Sequence, residues 1–381
     1  EAAGGDGGGR QAACRRSRPP HTAAGDDCDR SGVTPRPASM SSEPSASFRV
    51  PELVCPAGGL PALKAAVDHG ADCVYVGFRD ETNARAFAGL NFDDGSLAEG
   101  IAYAHRRGRK VLVALNTFPS TGGFARWTRA VDRAASLGVD AAICADAALL
   151  DYAARTYPEL RLHLSVQASA TNHEAIEWYR ERFGVRRAVL PRVLSLAQVE
   201  HTIANTGVEI EVFGYGSLCV MVEGRCALSA YVTGESPNCQ GVCSPAKAVR
   251  WEPHANGMRT RLNGFLIDAF EGDERPGYPT LCKGRFDVGG DTYYALEEPT
   301  SLNTLDMLPE LMRIGVAAIK IEGRQRSPAY VAQVTRTWRA AIDACARAPA
   351  AFVADRRWHT DLDALAEGQT QTLGAYSRPW R

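Results

Sequence analysis

The chain reads as an α/β protein, a TIM-type (β/α)8 barrel with a long cysteine-bearing insertion between strands 7 and 8. Two observations point there. From residue 51 onward, short and nearly continuous apolar runs alternate with amphipathic stretches that close on glycine. That is the pattern of parallel strands joined by crossover helices. Seven such runs fall before residue 216 and an eighth at 317–323, and eight units close a barrel. A doubly wound open sheet is the competing arrangement.

The elements follow in order. ELVCPAG is the first strand and LPALKAAVDHG the first helix; DCVYVGF and GSLAEGIAYAHRRG make the second pair. KVLVALNT with ARWTRAVDRAASLG, and AAICAD with ALLDYAARTYP, give the third and fourth. LRLHLSVQAS with HEAIEWYRERFG, then RRAVLPRV with SLAQVEHTIANTG, give the fifth and sixth. EIEVFGYG is strand seven; AAIKIEG is strand eight, followed by the helix SPAYVAQVTRTWRAAIDACARA. The barrel should span 49–349, with the insertion at about 217–316. This gap is far longer than an ordinary βα loop. Within it, RLNGFLIDAFEG and RFDVGGDTYYALEEP look like short strands. Residues 350–381 form a tail expected to pack on the barrel through Trp358, Leu373, Tyr376 and Trp380.

Composition narrows the function classes. The 43 basic residues nearly balance 44 acidic ones, so no global field favours nucleic acid or an anionic membrane. No apolar run approaches the roughly 18–20 residues of a membrane span. Residues 1–39 hold Gly, Ala, Arg, Asp and Pro with almost no large apolar side chain. Such a segment cannot offset its chain entropy by burial. The first 48 residues therefore read as a disordered or misannotated N-terminal extension. Without a signal-like apolar stretch, a reducing cytoplasm is expected.

Beyond Cys14 and Cys28, nine cysteines remain. Cys55, Cys73, Cys144 and Cys345 sit in apolar strand or helix patterns and read as buried packing residues. The insertion carries the other five. Cys219, Cys226, Cys243 and Cys282 follow the spacing C-x6-C-x16-C-x38-C, with Cys239 outside it. Structural zinc favours close C-x2–4-C pairs; four dispersed thiolates suit an iron–sulfur cluster. Spacing alone leaves cluster, zinc and unligated thiols open.

Barrel chemistry gathers at the C-terminal strand ends. Polar residues there are Asn83, Arg85, Asn116, Asp146, Gln167, Arg192, Glu211, Tyr215, Glu322 and Arg324. Each alone could cap a helix. As a set they suggest a pocket for a small anionic or oxygen-rich ligand. Glu211, Arg192, Asn116, Tyr215 and Glu322 are the catalytic candidates; Asn83, Arg85, Gln167 and Arg324 are the substrate-binding ones. Arg192 and Glu211 are expected to position substrate and not metal.

EVFGYGSLCVMVEGRCALSAYVTG, together with PELVCPAG, GADCVYVGF, ETNAR and IKIEGR, resembles the collagenase-like, unknown-type peptidase family over about residues 51–349. The tail TLGAYSRPW is most similar to that family's ubiquinone-biosynthesis branch, the UbiU type. The resemblance implies a 4Fe–4S cluster on Cys219, Cys226, Cys243 and Cys282. It also implies a heterodimer with a UbiV-like paralogue and oxygen-independent hydroxylation of a prenylated quinone precursor. The oxygen would come from a small carboxylated donor such as prephenate, held by Arg85, Arg192 and Arg324. No nucleic acid is expected as partner. An RNA base hydroxylase of the same family and a collagenase-like protease are the alternatives. Against the protease stand the missing G-x-S-x-G and H-E-x-x-H patterns.

Overall fold

The computed structural model describes residues 48–368 and 370–378. The expectations for residues 1–39, and for Trp380, lie outside that range. The first six β/α units are regular. They are β1 (Glu52–Pro56) with α1 (Leu60–Asp68), β2 (Cys73–Val76) with α2 (Asp94–His105), and β3 (Lys110–Leu115) with α3 (Phe124–Ser136). Then come β4 (Ala141–Cys144) with α4 (Ala147–Thr156), β5 (Leu162–Leu164) with α5 (His173–Phe183), and β6 (Arg187–Val189) with α6 (Leu196–Ala204). Side chains cap several of these helices: Asp93, Asp146, Asn172 and Ser195 each accept a backbone N–H of the first turn.

After β7 (Glu209–Ser217) the insertion begins. It contains α7 (Leu228–Thr233), an antiparallel sheet of β8 (Val249–His254), β9 (Gly257–Leu262) and β10 (Phe265–Phe270), and a hairpin of β11 (Phe286–Val288) and β12 (Asp291–Tyr293). Strands β10 to β12 fall in the two stretches expected to hold strands, and β9 reaches the first of them only with Arg261 and Leu262. β8 did not stand out in the sequence, because its residues alternate between charge and bulk without a clear apolar face. The chain returns through β13 (Thr300–Asn303) and α8 (Leu308–Arg313) to β14 (Ala318–Ile321) and α9 (Pro328–Arg347). Parallel pairing runs in order from β1 to β7, and β14 pairs with both β1 and β7. That closes the eight-stranded parallel barrel. β13 lies antiparallel to the end of β7. In the tail, α10 (Arg356–Asp363) packs against α9, and β15 (Thr370–Thr372) pairs with β13.

Alternation along each strand sorts the core. Leu53, Val74, Val113, Leu164, Val212 and Ile319 face outward against the helices, where Trp338 of α9 is fully buried. Cys55, Cys144 and Cys345 belong to this outer layer, while Cys73 faces the barrel axis. The axis is apolar only in part. Val54, Tyr75, Leu112 and Ile143 line it, but a column of charge runs beside them. Lys320 donates to Glu211 at 2.7 Å, and Arg187 lies 3.4 Å from the other Glu211 oxygen. Arg187 also donates to Glu52 at 2.6 Å and to Glu209 at 2.7 Å. Lys110 meets Glu52 at 2.7 Å, where the column reaches solvent at the N-terminal end of the strands.

Arg187 is the buried cation shared by three carboxylates, so Arg187→Met leaves Glu52, Glu209 and Glu211 close together with only their outer cationic partners. A loss of roughly 3–5 kcal/mol is expected, seen as a lower urea midpoint. The column also sets an acid limit. Burial alone would raise the Glu52 pKa, but hydrogen bonds from Lys110 and Arg187 bring it down to about 2. A lowered pKa stabilises the fold above the unfolded value and loses that contribution as protons bind. Stability should therefore fall between about pH 4.5 and pH 2, and less steeply in Glu52→Gln, as urea titrations at stepped pH would read.

Candidate functional site

A cavity of about 910 Å³ opens at the C-terminal end of the strands, between the barrel mouth and the insertion. Its floor is barrel: Tyr75, Ala114, Ile143, Val189, Phe213 and Lys320. Its roof comes from the insertion and carries Cys219, Cys226, Cys243 and Cys282. Cys239 is not among the lining residues. The four thiols share one electrostatic neighbourhood. Burial raises the pKa of Cys219, Cys243 and Cys282, the last to about 12. Negative charge on Cys243 and Cys226 raises Cys282 further, and charge on Cys243 and Cys282 raises Cys219. Arg85, and behind it Arg192, pull Cys243 the other way. Buried thiols of this kind stay protonated unless a cation takes the proton's place. Among the described residues, no three His, Cys, Asp or Glu side chains converge tightly enough for a single ion. Four thiols lining one cavity are the donor type and number that a 4Fe–4S cluster takes, one thiolate to each iron.

Close backbone packing holds the roof down. Gly224 has φ +90° and faces the Gln167 carbonyl so closely that a Cβ would collide with it. Gly241, at φ +83°, would place a Cβ 2.7 Å from the Asn83 carbonyl oxygen. Only glycine suits both demands. At the second approach the Arg85 N–H donates to the Gly241 carbonyl at 2.9 Å. A buried ion pair fastens the Cys219–Cys226 segment: Arg192 Nε lies 2.7 Å from Glu223 Oε1, and both side chains are under one-tenth exposed. Arg192 also donates to the Ser217 carbonyl and stacks on Phe213, 4.3 Å from the ring centre. Beside Cys282, the buried Lys283 donates to Ser217 Oγ at 2.9 Å.

Of the sequence-chosen residues, Arg85, Asn116, Gln167, Arg192, Glu322 and Arg324 line the cavity. Asn116 accepts the Ala84 N–H at 2.9 Å and donates to Ser165 at 3.0 Å. Arg85 Nε stands 3.6 Å from Glu322. Burial alone would raise the Glu322 pKa; Arg85 and Arg192 hold it below the usual carboxylate value. Arg324 donates to Asn83 Oδ1 at 2.9 Å, and burial lowers its pKa to about 10.

Three choices need correction. Tyr215 points away from the cavity, into the helix layer, where it donates to the Leu362 carbonyl. The cause is a bulge: Phe213 pairs with Lys320 but Tyr215 with Ile321, so Gly214 is an extra residue and alternation breaks. Glu211 is fully buried below the floor, bonded to Lys320. Asn83 is buried behind the wall, donating to the Phe78 carbonyl at 2.7 Å and accepting from Arg324. Asp146 caps α4. Arg192, expected to act on substrate alone, also secures the cysteine segment.

Sequence reasoning missed Lys320, Glu223, Lys283 and Glu367, all in the lining. Lys320 carried a usable signal, since a lysine in phase with Glu322 interrupts an apolar strand. The others sit in irregular chain with no period to betray them. Several buried polar atoms here have no protein partner: Gln167 Oε1, Glu223 Oε2, Ser244 Oγ and Arg326 Nε. Unpaired buried groups are costly, and these four atoms are shielded from solvent within the wall. No histidine lines it, and the Ser–His or Cys–His pair of a hydrolase is absent from its walls.

The sequence model of peptidase family U32 matches residues 58–379. The tRNA hydroxylation protein P1 of Bacillus subtilis (strain 168) is 32% identical over 325 residues, covering 84% of this chain and 70% of that protein. The uncharacterized protease MJ0090 of Methanocaldococcus jannaschii is 34% identical over 297 residues, 77% of this chain and 65% of that one. The 23S rRNA 5-hydroxycytidine C2501 synthase of Escherichia coli (strain K12) is 29% identical over 77% of this chain and 39% of its own length. The chain spans 64–70% of the length of the six relatives most similar in this set. The solved U32 peptidase Mk0906 aligns at TM-score 0.38 and 18% identity over 48% of this chain and 75% of that one, too loosely to carry an argument.

Removing the Arg192 guanidinium leaves the Glu223 carboxylate buried without its cation. Arg192→Ala should therefore loosen residues 217–226 by roughly 3–5 kcal/mol. Amide hydrogen exchange should accelerate across that segment and stay unchanged in β1 to β3. Equal protection in variant and wild type would refute the clamp.

Proposed function

The chain belongs to peptidase family U32, and from that premise we propose that it is the iron–sulfur subunit of an oxygen-independent hydroxylase. Its substrate on this reading is the aromatic ring of a prenylated quinone precursor in ubiquinone biosynthesis. It works in the cytoplasm with a UbiV-like paralogue, as a UbiU-type protein. The observation that carries the proposal is the set of four thiols roofing a large cavity whose lining holds cationic and amide side chains. Relatives named for tRNA and rRNA hydroxylation support the reaction class. Among the described residues no helix is long and apolar enough to cross a membrane.

On this reading Cys219, Cys226, Cys243 and Cys282 hold a 4Fe–4S cluster, which supplies electron-transfer or Lewis-acid chemistry next to the substrate. The chain's own residues do the rest. Leu90, Ile143, Val189, Phe213 and Leu218 offer apolar wall for an aromatic ring and the start of its prenyl chain. Arg85 and Arg324 reach the same space and can pair with a carboxylated oxygen donor such as prephenate. Gln167 lines the same space and can offer its side-chain amide to a hydroxyl. The insertion covers the mouth and limits water at the reacting ring. The same cavity could take a flipped RNA base, the reading favoured by the relatives' names.

Protein purified without oxygen should be brown, with about four iron and four sulfide per chain. Cys243→Ala should lose the colour and Cys239→Ala keep it. Zinc in place of iron, or full iron in Cys243→Ala, would count against the cluster. In cells, deleting the gene should abolish ubiquinone in anaerobic cultures and spare it in aerobic ones, as quinone extraction would read. Normal anaerobic ubiquinone with a missing RNA hydroxylation would establish the RNA reading instead.

A further inference from the structure

We propose that Lys320, on the cavity floor, is the receptor for an anionic oxygen of the bound ligand, a carboxylate or a phenolate, and that Glu211 positions it. The inference rests on this cavity being the reaction chamber, not on which substrate is hydroxylated there.

Lys320 is 6% exposed and lines the cavity. An ammonium group has three N–H donors. One goes to Glu211 Oε1 at 2.7 Å. The ammonium also lies 3.9 Å from the centre of the Tyr75 ring, whose face takes part of the remaining charge. No other acceptor engages it among the described residues. The Tyr75 ring is itself fixed, because its hydroxyl donates to the Ile321 carbonyl at 2.9 Å. A spare donor at a cavity floor calls for an acceptor from the ligand or from water.

Most other cations at the cavity are more fully engaged; the exceptions in the lining are Arg275, which is exposed, and Arg326, which stands 3.9 Å from Glu367, and neither lies on the barrel floor. Arg192 has Glu223 and the Ser217 carbonyl. Arg324 has Asn83 and the Ala84 carbonyl. Lys283 has Ser217 Oγ and stands 3.6 Å from Glu367. Arg85 faces Glu322. Charge below the floor strengthens the case. Lys320 shares Glu211 with Arg187, and Arg187 shares Glu52 with Lys110 and Glu209 with Arg161 and Arg49. At the buried upper end, Glu211 is the one carboxylate that meets Lys320, and it is shared with Arg187, so the lysine's charge is only partly matched where it borders the cavity.

Glu211 does not touch the cavity. It holds the lysine's head group upright against Tyr75, which makes it a positioning residue.

The test uses the full chain as purified without oxygen, and two probes. Benzoate carries only a carboxylate, and phenol, measured near its own pKa, only a phenolate. Lys320→Met alone strands Glu211 and could unfold the barrel. The informative variant is therefore Lys320→Met with Glu211→Gln, which neutralises the pair together. Calorimetric titration should show at least tenfold weaker binding of one probe or both, with iron, sulfide and melting temperature as in wild type. Loss for benzoate alone assigns the site to a carboxylate, and loss for phenol alone to a phenolic oxygen. Glu211→Gln alone should weaken binding by a smaller factor, and Lys320→Arg should restore part of it. A double variant that binds both probes as wild type does overturns the proposal. Because these are binding measurements, they stand or fall separately from any hydroxylation assay.

Discussion

The buried pair of Arg192 and Glu223 joins the barrel mouth to the cysteine-bearing insertion. Arg192 follows strand β6; Glu223 lies midway between Cys219 and Cys226. Their 2.7 Å contact, with both groups out of solvent, ties the cysteine segment to the mouth. A buried pair is weak evidence for net stability, since desolvation offsets much of its attraction. Its strength lies in specificity: a misplaced roof leaves two charges buried and unpaired. Together with the Arg85–Gly241 and Ser169–Glu223 hydrogen bonds, the pair fixes where the roof sits above the floor.

The barrel interior shows a related trade. Most barrels of this type fill their axis with branched apolar side chains. Here Glu52, Lys110, Arg187, Glu209, Glu211 and Lys320 replace part of that filling. Every member has a partner of opposite sign, which keeps burial tolerable. The upper end of this column is the floor of the cavity.

Much of the architecture was legible before any coordinates. Gly-terminated helices and apolar runs placed all eight barrel strands, because each is short, buried on both faces and followed by a crossover. The four-cysteine spacing singled out the thiols that roof the cavity, and Cys239 fell outside the spacing as it falls outside the lining. Strand-end logic also reached Arg85, Asn116, Gln167, Arg192, Glu322 and Arg324. Those successes share a cause: strand direction and strand end are local properties, written in a period of two.

What the residues do once gathered is not local. Tyr215 turned outward because one extra residue, Gly214, breaks the alternation in β7, and a bulge depends on the partner strand's register. Glu211 sank below the floor since height along the axis is set by the stagger between strands, which no single strand encodes. Glu223, Lys283 and Glu367 entered the site from irregular chain that only long-range packing brings back to the mouth. The sequence by itself determined the barrel and the set of thiols above it, through short-range patterning. Tertiary structure alone decided which charges face the cavity and which merely hold it in shape, because that choice rests on register, bulge and the pairing of buried charges between distant segments.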